Sequence, residues 1–364
     1  MSSFALTRFL PLGVLAVCAS GPLLACAHVP AGAAAFPDGT PGTAATAPVE
    51  PAPPPLAPLT ADEQALRGEL EKQVKDLADL GPRSLAHTWN LYSATDDLAR
   101  RLEILGHQVN RQGFSVGDEV LQNLEVVLPG KIGETVVVAA HYDTSAESPG
   151  ADASASGAAA LVTLAKGLVG RHHERSLRLV WLCNEGLSSA APGAPPGGPS
   201  GSEIYARHLR QLNIPVVATL TLGGLGLYAL GARSQRYPEE LLYGAEKRTH
   251  VGNFIGILSN PSSNSLLERV RPALASASLP VEELILPDTA PLANDGPQAR
   301  FWSAGLAGLL LTDTAGFRSA HYDDALDTLD KLDFDRLARV AKLLESLVVA
   351  LAGPVESAPA KAPS

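Results

Sequence analysis

Residues able to do chemistry fall into four short stretches, each at the end of an apolar run. The first is Ala140-His141-Tyr142-Asp143-Thr144, followed by Pro149-Gly150-Ala151-Asp152-Ala153-Ser154-Ala155-Ser156-Gly157. The second is Cys183-Asn184-Glu185-Gly186, which leads through a Pro/Gly-rich insertion to Gly201-Ser202. Thr221-Leu222-Gly223-Gly224 closes the third; Leu311-Thr312-Asp313-Thr314, His321-Tyr322-Asp323-Asp324 and Asp327-Thr328 make up the fourth. A histidine and several carboxylates are the side chains of acid–base and metal-assisted chemistry. A plainer reading stands beside it: His141 is a hydrogen-bonded strand-end histidine held by Asp143, and the acids are solvated or cap helices. Glu185 is a carboxylate that burial can poise as a base.

Three other patterns carry no chemistry. His172 and His173 are adjacent, so on a helix end they point apart. Gly224-Leu225-Gly226-Leu227 imitates a dinucleotide-binding loop, but the residues after it do not open a helix. Ser154 and Ser156 lack the Gly-x-Ser-x-Gly turn that exposes a nucleophile.

Alternating strands and helices must position the four stretches. Thr60-Ala61-Asp62-Glu63 is a capping box, and Leu66, Leu70, Val74 and Leu77 follow at helical spacing. Helices are expected over 93–105, 156–169, 202–212, 265–275, around Phe301 and over 333–351. Strands are expected over 108–116, 121–128, 135–140, 177–182, 216–222, 282–286 and 306–311. The strand runs are apolar without alternation, which predicts a largely parallel sheet covered on both faces. The fold class is therefore α/β, a three-layer α/β/α sandwich with a central, mostly parallel mixed sheet. In such sheets ligands bind beyond the carboxyl ends of the strands, where the four stretches lie.

The succession resembles the co-catalytic zinc aminopeptidases of metallopeptidase family 28, a group that includes glutaminyl cyclases. The resemblance runs from Gly81-Pro82-Arg83 to the last helix. It is carried by Leu128-Pro129-Gly130, His141-Tyr142-Asp143, Gly150-Ala151-Asp152, Ala155-Ser156-Gly157, Gly201-Ser202, Gly252-Asn253-Phe254-Ile255, Phe301-Trp302 and Thr312-Asp313-Thr314. It implies two zinc ions sharing a carboxylate and a water, each ion with one histidine and one further carboxylate, and a neighbouring glutamate as base. On this alignment His141 keeps the first histidine ligand position, Asp143 orients it, and Glu185 stands at the general-base position. The other ligand positions fall on Ala153, Gly186, Gly223 and Asp323. The Asp-His pair expected before Phe301-Trp302 is also missing, because Asn294-Asp295-Gly296-Pro297-Gln298 holds no histidine. A zinc ion needs about three protein ligands, so the resemblance implies a pseudo-peptidase without cofactor, which binds a peptide or an envelope component in the old cleft. The alternative is an active metal-dependent aminopeptidase in which Asp152, Asp323 and Asp324 join His141 in a rewired zinc site.

The N-terminus supplies an address. Residues 1–25 have one positive charge, then an apolar run too short and interrupted for a membrane span, and read as a lipoprotein signal. Leu23-Leu24-Ala25-Cys26 looks like a bacterial lipobox, with Cys26 the lipidated residue and no Asp after it. The chain is thus expected in the bacterial envelope, lipid-anchored at the outer membrane. Residues 26–58 are an Ala/Pro-rich tether, 59–353 one aminopeptidase-like domain, and 354–364 a disordered tail. A net charge of -10 without a Lys/Arg block excludes nucleic acid as a partner. Cys18 leaves with the signal and Cys183 lies in an apolar run, so no disulfide is expected.

Overall fold

The computed structural model describes residues 52–185, 198–237, 241, 248–287, 296–354 and 356–357. Cys26, the signal, the tether up to residue 51, Gly186, most of the Pro/Gly-rich insertion, Asn294, Asp295 and the end of the tail lie outside the described residues.

Helix α1 (Ala61–Ala78) begins at the expected capping box, with the Thr60 side chain accepting from the Glu63 amide and the Glu63 carboxylate accepting from the Thr60 amide. Next come α2 (Thr88–Ile104), β1 (Val109–Val116), β2 (Glu119–Leu128) and β3 (Ile132–His141). A single π-helical turn, Ala151–Ser156, runs into α3 (Gly157–Gly167). The chain continues through β4 (Arg171–His172), β5 (Arg175–Leu182), α4 (Gly201–Gln211), β6 (Val216–Leu222), β7 (Ile255–Ser259), α5 (Asn264–Ala275) and β8 (Val281–Ile285). It ends with α6 (Gly296–Ser303), β9 (Gly308–Thr312), α7 (Phe334–Ala352) and β10 (Glu356–Ser357).

Eight strands form one mixed sheet in the order β1-β2-β5-β3-β6-β9-β7-β8. The middle of it, β5, β3, β6 and β9, is parallel. Strands β7 and β8 run together but antiparallel to β9, and β1 pairs antiparallel with β2, as β2 does with β5. β4 and β10 pair separately.

Both faces of β3 are covered, which is why it reads as an unbroken Val/Ala run. Val136, Val138 and Ala140 join the large core under α1, α3, α5 and α7, whereas Val137 and Ala139 pack with Tyr205, Leu209 and Phe301 of α4 and α6. Helix α7 adds Leu337, Val340, Leu344, Leu347 and Leu351 to the large core at helical spacing, each worth roughly 2 kcal/mol of buried apolar surface. At the N-terminal edge Leu56 packs on the core. The buried Arg339 of α7 donates to the carbonyls of Ala57 and Ser278 and faces Glu63, pinning the chain just before α1.

The fold class is as expected, and several elements differ: β4 and β10 are not among the expected strands, and His172 lies in a strand paired with Glu356 and not on a helix end. Helix α2 starts five residues before the expected position, because its N-cap His87 makes no side-chain cap bond that would mark it. Strand β7 has no counterpart among the expected strands, its first residue, Ile255, belonging to the Gly252-Asn253-Phe254-Ile255 motif. Its five residues are all buried, a run too short to separate from a buried helix segment by pattern.

Candidate functional site

The parallel strands end where the four stretches lie. His141 closes β3, and its Nδ1 lies 3.2 Å from the Asp143 carbonyl and 3.4 Å from Asp143 Oδ1. Burial alone would lower the His141 pKa, but the bond and charge of Asp143, with the fields of Glu185 and Asp323, raise it overall. Asp143 Oδ2 also accepts from the Glu185 amide at 2.7 Å, so one aspartate ties the ends of β3 and β5.

Glu185 is held at both oxygens by the first turn of α4. The Ser202 amide donates to Oε1 at 2.5 Å and the Ser202 hydroxyl to Oε2 at 2.8 Å. A carboxylate there satisfies an amide that the helix cannot and complements its dipole. Burial, then the neighbouring Asp143, nonetheless pushes the Glu185 pKa up to about 7.

Asp323 faces His141 from the last stretch, with a left-handed backbone (φ 54°). Its Oδ1 accepts from the Ser145 amide at 3.2 Å, and its carbonyl takes the Ser145 hydroxyl at 2.8 Å. Burial raises its pKa.

The remaining acids go elsewhere. Asp324 turns outward to His321, 3.0 Å from Nδ1, and caps the Leu326 amide. Asp152 is buried and bound through Oδ1 to the Gly226 amide at 2.8 Å. Asp327 brackets the start of the π-helical turn, accepting from the Asp152 and Ala153 amides at 2.8 and 3.0 Å. Burial raises its pKa to about 6. The structure therefore gathers His141, Asp143, Glu185 and Asp323, and places Asp152 and Asp324 in separate bonds.

A two-zinc centre does not fit these residues. Ala153 is buried and offers no donor, and Gly186, outside the described residues, has no side chain. Gly223 directly follows β6, where even a Cβ would lie 3.2 Å from Thr312 Oγ1. Among the described residues no three His, Cys, Asp or Glu stand together as a group able to hold a metal ion.

Sequence reasoning missed the organising cation. Arg83 is fully buried and donates to the carbonyls of Leu77, Gly81, Tyr142, Pro149 and Gly150 and to Ser154 Oγ. Burial lowers its pKa to about 10, although Asp143, Asp327 and Asp323 favour the charge. Only its place in Gly81-Pro82-Arg83, ahead of the core strands, could have drawn attention to it.

A mixed sheet between two helical layers, with a histidine at the end of one central strand and a glutamate beyond its neighbour, is the α/β fold of the zinc-aminopeptidase-like proteins. The model of Peptidase family M28 matches residues 123–348, most of the folded domain. The chain belongs to peptidase family M28, whose members normally use zinc. Among solved structures, LapA aminopeptidase of Legionella pneumophila superimposes with a TM-score of 0.61 at 16% identity, over 81% of this chain and 75% of that one. A glutaminyl cyclase of Fimbriiglobus ruber gives 0.57 at 20% identity, over 84% of this chain and 99% of its own. The uncharacterized protein YfbL of Escherichia coli K12 is 26% identical over 284 residues, 75% of this chain and 84% of that relative.

Proposed function

We propose that this chain is an envelope lipoprotein that binds a ligand in the cleft of an M28 fold and does not hydrolyse it. The observation that carries the reading is the donor set: Ala153, Gly186 and Gly223 offer nothing to a metal at three ligand positions, and Asp323 stands where a histidine is expected. Glu185 is engaged by Ser202 rather than free. The acids around His141 suit a cationic group, such as the amino terminus of a peptide from the envelope.

Purified protein should contain no stoichiometric zinc, release no amino acid from aminoacyl-nitroanilides, and melt at the same temperature with and without chelator. Near-stoichiometric zinc, with a chelator-sensitive release abolished by His141→Ala, would overturn the proposal and establish a rewired metallopeptidase.

The address is tested separately. Cells fed a clickable fatty acid should label the wild type, and Cys26→Ser should remove the label. An unlabelled wild type ends the lipoprotein reading and leaves the cleft reading intact.

A further inference from the structure

Three buried hydrogen-bond donors without acceptors border one aromatic ring, and none of them belongs to the His141 cluster. The ring is that of Tyr228, in the loop after β6. The guanidinium of Arg318, beyond β9, lies 5.4 Å from its centre, and that of Arg336, in the first turn of α7, lies 5.2 Å from it. Arg318 Nη2, Arg336 Nε and the Tyr228 hydroxyl are each buried with no hydrogen-bond partner.

The chain is built around Arg318 here. The residue is only 8% exposed, and its guanidinium also lies 4.7 Å from the centre of the Phe254 ring. Its stem runs where a side chain at position 252 would stand, since a Cβ on Gly252 would meet Arg318 Nε at 2.7 Å and Cδ at 2.9 Å. Nε donates to Gln235 Oε1 at 2.9 Å and Nη1 to the Leu227 carbonyl at 2.8 Å. Two corners of a rigid fork are thus held, and the direction of Nη2 is set by them.

No carboxylate completes the fork. Asp313 faces Arg318 but spends Oδ2 on the Leu227 amide at 2.8 Å and Oδ1 on the Ala315 amide at 3.0 Å. The field of Asp152 also reaches Arg318, yet Asp152 Oδ2 is itself without a donor and so makes no bond to Nη2. Arg336 does have a partner, for its Nη1 donates to Asp333. One of the two guanidiniums around the ring is therefore left without a bonded counter-charge.

We propose that a single halide ion, chloride in a cell, binds against Tyr228 and accepts from Arg318 Nη2, the Tyr228 hydroxyl and Arg336 Nε. A buried guanidinium without a bonded partner is costly, and an anion supplies the missing charge and the missing acceptor together. Water suits the place less well. It accepts from two donors at most and must turn its own hydrogens towards guanidiniums, which have no lone pair to receive them. Because the donors are shut off from solvent, they fit a small ion and not the phosphate or carboxylate of a larger ligand. The ion ties the loop after β6 to the segment after β9 and to the start of α7, whatever the cleft itself binds.

The test uses the full chain, with chloride and bromide as probes. Thermal unfolding is followed while sodium gluconate is exchanged for sodium chloride at constant ionic strength, so that general screening stays fixed. The wild-type melting temperature should be level at first and then climb with the logarithm of chloride concentration, by a few degrees in all. Bromide should act in the same way. Tyr228→Phe keeps the ring between the guanidiniums and removes one donor, so it should bind chloride roughly tenfold more weakly and begin its climb at a correspondingly higher concentration. Crystals grown in bromide should show its anomalous scattering within hydrogen-bond distance of Arg318 Nη2 and the Tyr228 hydroxyl. Equal melting temperatures in gluconate and chloride overturn the proposal, as does a chloride response that is the same in Tyr228→Phe. A bromide peak at this place without a chloride response in solution means an adventitious ion only, and it overturns the proposal too.

Discussion

Replacement of Arg83 by methionine will cost the domain about 5 kcal/mol or more, enough to use up the stability margin of an ordinary domain. The guanidinium is fully buried and fans out to carbonyls of α1, of the end of β3 and of the 149–150 turn, and to the Ser154 hydroxyl. Methionine fills much of the volume but leaves those acceptors in the interior without donors, at about 1 kcal/mol or more for each. It also removes the positive charge facing Asp143, Asp327 and Asp323. Arg83→Lys should recover only part of the loss, because an ammonium cannot span the fork that reaches Leu77 on one side and Ser154 on the other. Urea unfolding gives the answer: an Arg83→Met protein within about 1 kcal/mol of the wild type would show that the loops hold themselves.

The domain will also be most stable in mild acid and will weaken as pH rises towards neutrality. The folded-state pKa of Glu185 is about 7 against an ordinary 4.5, and that of Asp327 about 6 against 3.8. His141 and Asp323 are raised as well. A raised pKa means that the folded state binds the proton more tightly. The associated stability is complete below the unfolded value and is lost as pH climbs through the folded one. For Asp327 the shift corresponds to something on the order of 3 kcal/mol, and for the half-buried Glu185 to that figure or less after solvent screening. Glu63 and Asp76 are held below their ordinary values and act in the opposite sense, but their titration lies beneath the window. Urea midpoints should therefore fall steadily from about pH 4.5 to about pH 7, and Glu185→Gln with Asp327→Asn should flatten the line. A midpoint that rises over the same interval would mean that these carboxyls are not placed as described.

The two predictions rest on contacts that differ greatly in how visible they were beforehand. Strand β6 was delimited to the residue, because an apolar run between Pro215 and a glycine pair has little freedom to be anything else. The His141 and Asp143 pairing was legible too, since two residues at a strand end can reach each other only around the last peptide. What stayed hidden was set by closure of the sheet. Arg83 meets Ser154 across 71 positions and Asp327 meets the Asp152 amide across 175, and no local period encodes such meetings. Glu185 shows the same limit, because its type and place suggested a base while its partner, the amide at the start of α4, comes from beyond the insertion. Asp324 was drawn instead into a bond with His321 three residues away, a competition that local spacing permits but does not decide.

The fastening of the N-terminal edge has a mechanical consequence. Ala57 is clasped by Arg339, and Thr60 and Glu63 lock the first turn of α1, so a pull arriving along the preceding chain is handed at once to α1 and α7. Helix α1 then rises about 24 Å from Ala61 to Leu77, whose carbonyl is the first that Arg83 reaches. Load entering at Ala57 is therefore spread through two packed helices before it nears the strand ends. A force applied to the domain through its N-terminal edge would be taken up first by α1 and α7, and the geometry around His141 would hardly feel it.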